Sequence, residues 1–113
     1  VGEHWSIDYT DGEPVFSVRG FRNQSEPLWK WRCWQRGSKV FVKPDWLSSI
    51  SGPMNIEFVD SNIIEVHFRH NPDFRWGNEV AIPVYDKLRP EKRPKECWYV
   101  DAPDGPRLGF WIR

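Results

Sequence analysis

Glu57 and Glu65 stand in the stretch MNIEFVDSNIIEVHFRHN, residues 54–71, whose alternation is that of a β-hairpin. Met54, Ile56 and Phe58 alternate with Asn55 and Glu57 on the first arm. Ile64, Val66 and Phe68 alternate with Glu65, His67 and Arg69 on the second. Side chains change face at every residue, so each arm has an apolar and a polar edge. Bringing both apolar edges to one face sets Phe58 opposite Ile64 across a three-residue loop, Asp60-Ser61-Asn62; a one-residue slip would turn one edge into water. That register puts Glu57 directly across from Glu65, with Cβ atoms about 5 Å apart. Two ionised carboxylates at that separation repel by roughly 3 kcal/mol at an effective dielectric of about 20. A divalent cation, a shared proton, or a neighbouring cation such as Arg69 offsets such a repulsion. The alternative is a wet surface on which the side chains splay apart and the repulsion is small.

The elements around this hairpin read as mainly β. Over 4–19, two β-like runs flank Asp11-Gly12, a strong hairpin signal, with Trp5, Ile7 and Tyr9 on one face of the first arm. Residues 28–34 alternate as a strand, 40–42 form another, and 80–85 form a third whose Pro83 predicts an edge or bulge. Pro44 to Ser51 is the best helical candidate, with Trp46, Leu47 and Ile50 sharing a face and Gly52-Pro53 ending it. Asn71-Pro72-Asp73 is turn chemistry, residues 86–96 a charged, proline-punctuated loop, and residues 97–113 a last hairpin around Pro103-Asp104-Gly105. The expected fold is α+β: a mainly antiparallel sheet with one short helix packed on it.

The chain has 113 residues, enough for a single domain with a buried core. Sixteen basic and sixteen acidic residues cancel, so no net field recruits nucleic acid or an anionic membrane. No apolar run reaches the length of a membrane span and no signal peptide is visible, which predicts a cytoplasmic protein. The first residue is Val rather than Met, which suits a processed chain or a piece of a longer one. Cys33 and Cys97 are expected as unpaired thiols, although one bridge between them is possible. His4 and His70 have no suitably spaced partners and are expected at the surface. Trp29, Trp31 and Trp34 interleave with Lys30, Arg32 and Arg36. That pattern can stack bases or sugars; the plainer expectation puts Trp29 and Trp31 in the core and leaves Trp34 partly exposed.

The 54–71 hairpin resembles the metal-binding strands near the C-terminal end of ATP-grasp ligases, which carry a carboxylate on one strand and Glu-x-Asn, often Glu-x-Asn-x-Arg, on the next. Asn55-Ile56-Glu57-Phe58 looks like the first strand and Glu65-Val66-His67-Phe68-Arg69 like the second, with His67 in the place of Asn. Upstream, Ser6-Ile7-Asp8 and Asp11-Gly12-Glu13-Pro14-Val15 are similar to the family's preceding strand–turn–strand. The resemblance covers residues 5–84, and the hairpin is its specific part. It implies an ATP-grasp-like C-terminal core over about 4–85, with the 86–96 loop and the 97–113 hairpin appended.

What the resemblance implies for function is binding of ATP phosphates through Mg²⁺ or Mn²⁺ in a carboxylate–amine ligase that works through an acyl-phosphate. Glu57 and Glu65 would bind metal and His67 would be the third ligand, an imidazole favouring Mn²⁺ or Zn²⁺ over Mg²⁺. Arg69 would face the phosphates or the acyl-phosphate, and Asn71 could stand in for the amide ligand. The partners implied are ATP, a small-molecule carboxylate and an N-terminal ATP-grasp half. That half, with its adenine grip and phosphate-binding lysines, has no counterpart in these residues, so this chain alone is expected not to catalyse. The rival readings are a tryptophan-rich carbohydrate-binding domain and a protein-interaction module built on exposed Trp and Arg.

Overall fold

A computed structural model of the protein describes residues 3–22, 25, 31–38, 44–85 and 94–113. Trp29 and Lys30, the expected strand at 40–42 and residues 86–93 of the charged loop lie outside them. Among the described residues are the strands β1 (His4–Thr10), β2 (Glu13–Phe21), β3 (Cys33–Arg36), β4 (Pro53–Val59), β5 (Asn62–His67), β6 (Val80–Val84), β7 (Trp98–Asp104) and β8 (Arg107–Ile112). Two compact units divide the chain, Val1–Gly20 with Arg36–Pro72 and Phe21–Gln35 with Asp73–Arg113. Each is antiparallel.

The first unit orders its strands β5-β4-β1-β2. β1 and β2 meet at Asp11-Gly12, both at positive φ (50° and 80°), the backbone that a two-residue hairpin of matching twist requires. β1 also pairs β4, setting Trp5 against Phe58, Ile7 against Ile56 and Tyr9 against Met54. Directly opposed residues share a face, and these six pack with Leu47 into the core of the unit. Ile7, Ile56, Met54 and Phe58 are essentially inaccessible to water. Burying each such side chain contributes about 1.5–3 kcal/mol, so this strand pair is the main apolar store of the unit.

The helical segment is shorter and tighter than the sequence pattern suggests. Asp45–Ser49 is one 3₁₀ segment, with Ile50 N–H donating to the Leu47 carbonyl. Three residues per turn align positions 47 and 50, and leave position 46 on another side. Leu47 is therefore buried and Ile50 partly buried in the core, while Trp46 is 44% exposed. The expected shared face of Trp46, Leu47 and Ile50 is corrected accordingly. Asp11 ties this segment's exit to the hairpin turn: its N–H donates to Gly52 O at 3.1 Å, and its carboxylate accepts from Gly52 N–H at 2.7 Å.

The second unit orders its strands β3-β6-β8-β7. Among the described residues, Val84, Cys97 and Trp111 form one apolar cluster of this unit, with Ile82, Tyr99 and Leu108 packed alongside. β6 lies between β3 and β8, not at an edge; its pairing with β3 covers only Val80 and Ala81, so no ladder bond to β3 is required at Pro83. The last hairpin turns one residue later than expected, at Gly105-Pro106, because β7 continues through Asp104 with a register shift after Asp101. Cys33 and Cys97 are free thiols, Cys97 buried and Cys33 half-buried. Among the described residues, no helix is long and apolar enough to cross a membrane.

Gly12 gives a direct test of how the first unit is joined. A Cβ at this position would lie 2.7 Å from the Leu47 carbonyl oxygen, and its φ of +80° is one that L side chains rarely adopt. Gly12→Ala is expected to destabilise the protein by about 2 kcal/mol or more in urea unfolding, with the m-value unchanged.

Candidate metal centre

The β4–β5 hairpin reaches the expected carboxylate pairing by an unexpected route. Val59 pairs Asn62 across a two-residue turn, Asp60-Ser61, rather than a three-residue loop. Phe58 then pairs Ile63, and a bulge leaves Ile64 as the extra residue before Glu57 meets Glu65. The bulge restores by one residue what the tighter turn removes. Phe58 opposite Ile64 is thus corrected, while Glu57 opposite Glu65 stands. The other expectation that fails is the cover over β5. Ile64, Val66 and Phe68 are exposed, Phe68 by 75%, because β5 is the outer strand of its unit.

Asn55, Glu57, Glu65 and His67 share the polar face, since Asn55 pairs His67 as Glu57 pairs Glu65. β1 adds Ser6 and Asp8, opposite Glu57 and Asn55. His67 Nε2 lies 3.3 Å from Glu65 Oε1 and 3.7 Å from Glu57 Oε2, and His4 Nε2 lies 3.5 Å from Glu57 Oε1. Ligand atoms of Glu57, Glu65 and His67 all fall within 4.8 Å of one another. The structure therefore brings together the three residues that the sequence singles out as ligands. Arg69 stands apart from the pair: it is exposed and donates to the His70 carbonyl at 3.4 Å. The cations in contact with the carboxylates are the two imidazoles when protonated.

The two carboxyls are shifted in opposite directions. The His4 imidazole 3.5 Å from Glu57 outweighs burial and, with the neighbouring Glu65, holds Glu57 down to about 2. Glu65 is pushed up, first by its hydrogen bond to Glu57 and then by burial and by the neighbouring charge. Glu57 is the anion and Glu65 the proton holder as pH falls. At acid pH a proton on Glu65 offsets the repulsion, one of the three ways to do so.

A buried polar layer lies behind the pair. Asn55 Nδ2 donates to Ser6 Oγ at 2.8 Å and to Asp8 Oδ1 at 2.9 Å. Asn71 N–H donates to the same Asp8 oxygen at 2.9 Å, and Asn71 Nδ2 to Ser6 Oγ at 3.4 Å. His70 Nε2 contacts the Tyr9 carbonyl at 2.9 Å and Thr10 Oγ1 at 3.1 Å. Ser6, Asp8 and Asn55 are all buried, and burial pushes the Asp8 carboxyl up despite the Asn71 and Asn55 bonds that favour its anion. Asn71 thus turns its amide inward onto Ser6. His4, Ser6, Asp8 and Asn55 were not singled out as site residues from sequence; their signal is the polar alternation of HWSIDYT in β1 and of PMNIEFV in β4, two paired strands.

Among known protein families, curated proteins and solved structures, none matches this chain.

Two outcomes follow from this geometry. Asn55→Ala strips buried Asp8 and Ser6 of a donor and is expected to cost about 2–3 kcal/mol in urea unfolding. Asp8→Asn, which keeps an acceptor oxygen and removes a charge that burial disfavours, is expected to be neutral or stabilising at pH 7.

The paired carboxyls have opposite signs. Glu57, with its lowered value, adds stability above the ordinary 4.5, which is lost as pH falls toward about 2. Glu65, with its raised value, adds stability at acid pH, which is lost as pH rises through that value. Metal-free Glu65→Gln is therefore expected to be more stable than the parent at pH 7, by at most about 1 kcal/mol because Glu65 is half-exposed. Thermal melts of the two proteins at acid and neutral pH measure it.

Proposed function

We propose that the polar face of the first unit is a divalent-cation site that holds ATP phosphates, as the metal-binding half of an ATP-dependent carboxylate–amine ligase does. The observation that carries this reading is the convergence of Glu57, Glu65 and His67 to within 4.8 Å from two paired strands. Ligands held about 2.1 Å from one ion lie about 3 Å apart when adjacent and about 4 Å when opposite. The His67 separations of 3.3 and 3.7 Å need little adjustment to meet that. Two carboxylates and an imidazole suit Mn²⁺ better than Mg²⁺.

When bound, the cation supplies neutralisation of phosphate charge and polarisation of the phosphoryl group. The chain's own residues hold and orient it. β4, buried along its apolar face and at Asn55 on the other, fixes Glu57, and β5 carries Glu65 and His67 in register with it. Arg69, exposed just beyond β5, supplies positive potential at the edge of the site, where a phosphate or acyl-phosphate oxygen would lie. Asn71 anchors the following turn to Asp8 and Ser6. ATP and the carboxylate substrate also need an N-terminal ATP-grasp half, so the reading assigns this chain cation and phosphate binding rather than turnover.

Where Glu65 still holds its proton, a cation must displace it. Affinity for Mn²⁺ is expected to weaken as pH is lowered through the raised range of Glu65. In an assigned amide spectrum at neutral pH, substoichiometric Mn²⁺ is expected to broaden signals around Glu57, Glu65 and His67 first. Glu65→Gln should remove that selectivity. Diffuse broadening, or broadening centred elsewhere, would sink the proposal.

A further inference from the structure

The tryptophan-rich part of the sequence is not used by the carboxylate face. In the second unit Trp31 and Trp34 line a cleft of about 380 Å³ together with Tyr85, Asp73, Asp104 and Arg107. That volume is at the lower end of small-molecule sites, about 300–1,000 Å³. The walls combine aromatic faces with a few polar groups. Trp31 and Trp34 stand with ring centroids 4.6 Å apart and planes tilted by 41°, a wedge rather than a closed stack. Trp34 is buried and Trp31 half-buried, the reverse of the sequence expectation for the exposed ring.

The wall is held in place by its own contacts. Trp31 N–H donates to Tyr85 Oη at 2.9 Å, which fixes the backbone carrying the half-buried ring. Arg107 Nε donates to the Ala102 carbonyl at 2.9 Å, and Nη1 lies 3.5 Å from Asp73 Oδ2. Its guanidinium lies 4.3 Å from the ring centre of Phe110, the buried floor. A guanidinium tied on three sides keeps its orientation when a ligand arrives, so less ordering entropy is lost on binding.

Charge selects the class of ligand. Two carboxylates, Asp73 and Asp104, face one guanidinium already paired with the first of them. Arg22 lies 5.8 Å from the centre of the Trp31 ring, so among the described residues two carboxylates meet two guanidiniums, a balance that favours neither an anion nor a cation. A neutral ligand with an apolar face and many hydroxyls suits both halves of the wall. Aromatic rings take up C–H faces, and planar carboxylate and guanidinium groups exchange hydrogen bonds with adjacent hydroxyls.

We propose that this cleft binds a neutral saccharide, with a pyranose ring against Trp31 and its hydroxyls held by Asp73, Asp104 and Arg107. The cleft is lined by none of the residues of the carboxylate cluster. The test is an amide and indole NMR titration of the whole chain with cellohexaose, chitohexaose and maltohexaose, with AMP and choline as charged comparators. Saturable shifts are expected with at least one sugar at the Trp31 indole and in residues 104–107. Trp31→Ala and Asp104→Asn should each weaken binding by about tenfold, with first-unit signals unmoved. Asp104 is exposed, so its variant keeps the test valid if the tryptophan variant misfolds. The proposal is overturned if no sugar gives saturable shifts at millimolar concentration, if the shifts centre outside the cleft, or if AMP or choline binds there more tightly than every sugar.

Discussion

The first unit depends on the burial of β4 on both of its faces. One face carries Met54, Ile56 and Phe58 into the apolar core, and the other carries Asn55 into hydrogen bonds with Ser6 and Asp8. A strand with only one covered face can slip by two residues and keep its apolar side inward. β4 cannot, because a two-residue slip would pull Asn55 away from buried Ser6 and Asp8 and leave polar groups dry and unmatched. Register is thereby fixed from two directions, and the position of Glu57 follows from it.

That rigidity is what makes the Glu57–Glu65 pairing chemically interesting. Held on a fixed strand, Glu57 cannot swing freely into solvent, and His4 and His67 stand beside it. Glu65 sits on the exposed outer strand, where its side chain retains more freedom. The site thus pairs one rigid and one adaptable carboxylate with an imidazole in contact with both. The same outer position leaves Ile64, Val66 and Phe68 in contact with water, an apolar edge that β5 keeps beside the polar face.

Much of this was legible in the sequence. Strict alternation in 54–59 and the Asp11-Gly12 turn both encode local geometry, so both strand pairs and the opposition of Glu57 to Glu65 can be read directly. The bulge at Ile64 cannot, because a three-residue loop and a two-residue turn with one extra residue give the same parity. Exposure of β5 was also hidden: alternation says which side chains share a face, not whether anything covers that face. Ser6, Asp8 and Asn55 looked like ordinary strand-face polar residues. Their burial depends on β1 lying between β2 and β4, a long-range fact that no local pattern carries. The short 3₁₀ segment cannot be told from an α-helix in the sequence, because Leu47 and Ile50 fit either period.

The central claim is that Glu57, Glu65 and His67 together bind a divalent cation. The most direct measurement is X-ray diffraction from crystals grown with Mn²⁺, with anomalous scattering recorded at the manganese edge. The account predicts an anomalous peak about 2.1–2.2 Å from a carboxylate oxygen of Glu57, a carboxylate oxygen of Glu65 and Nε2 of His67. Crystals in which the peak lies elsewhere, or in which the two carboxylates keep their metal-free contacts at saturating Mn²⁺, would contradict it.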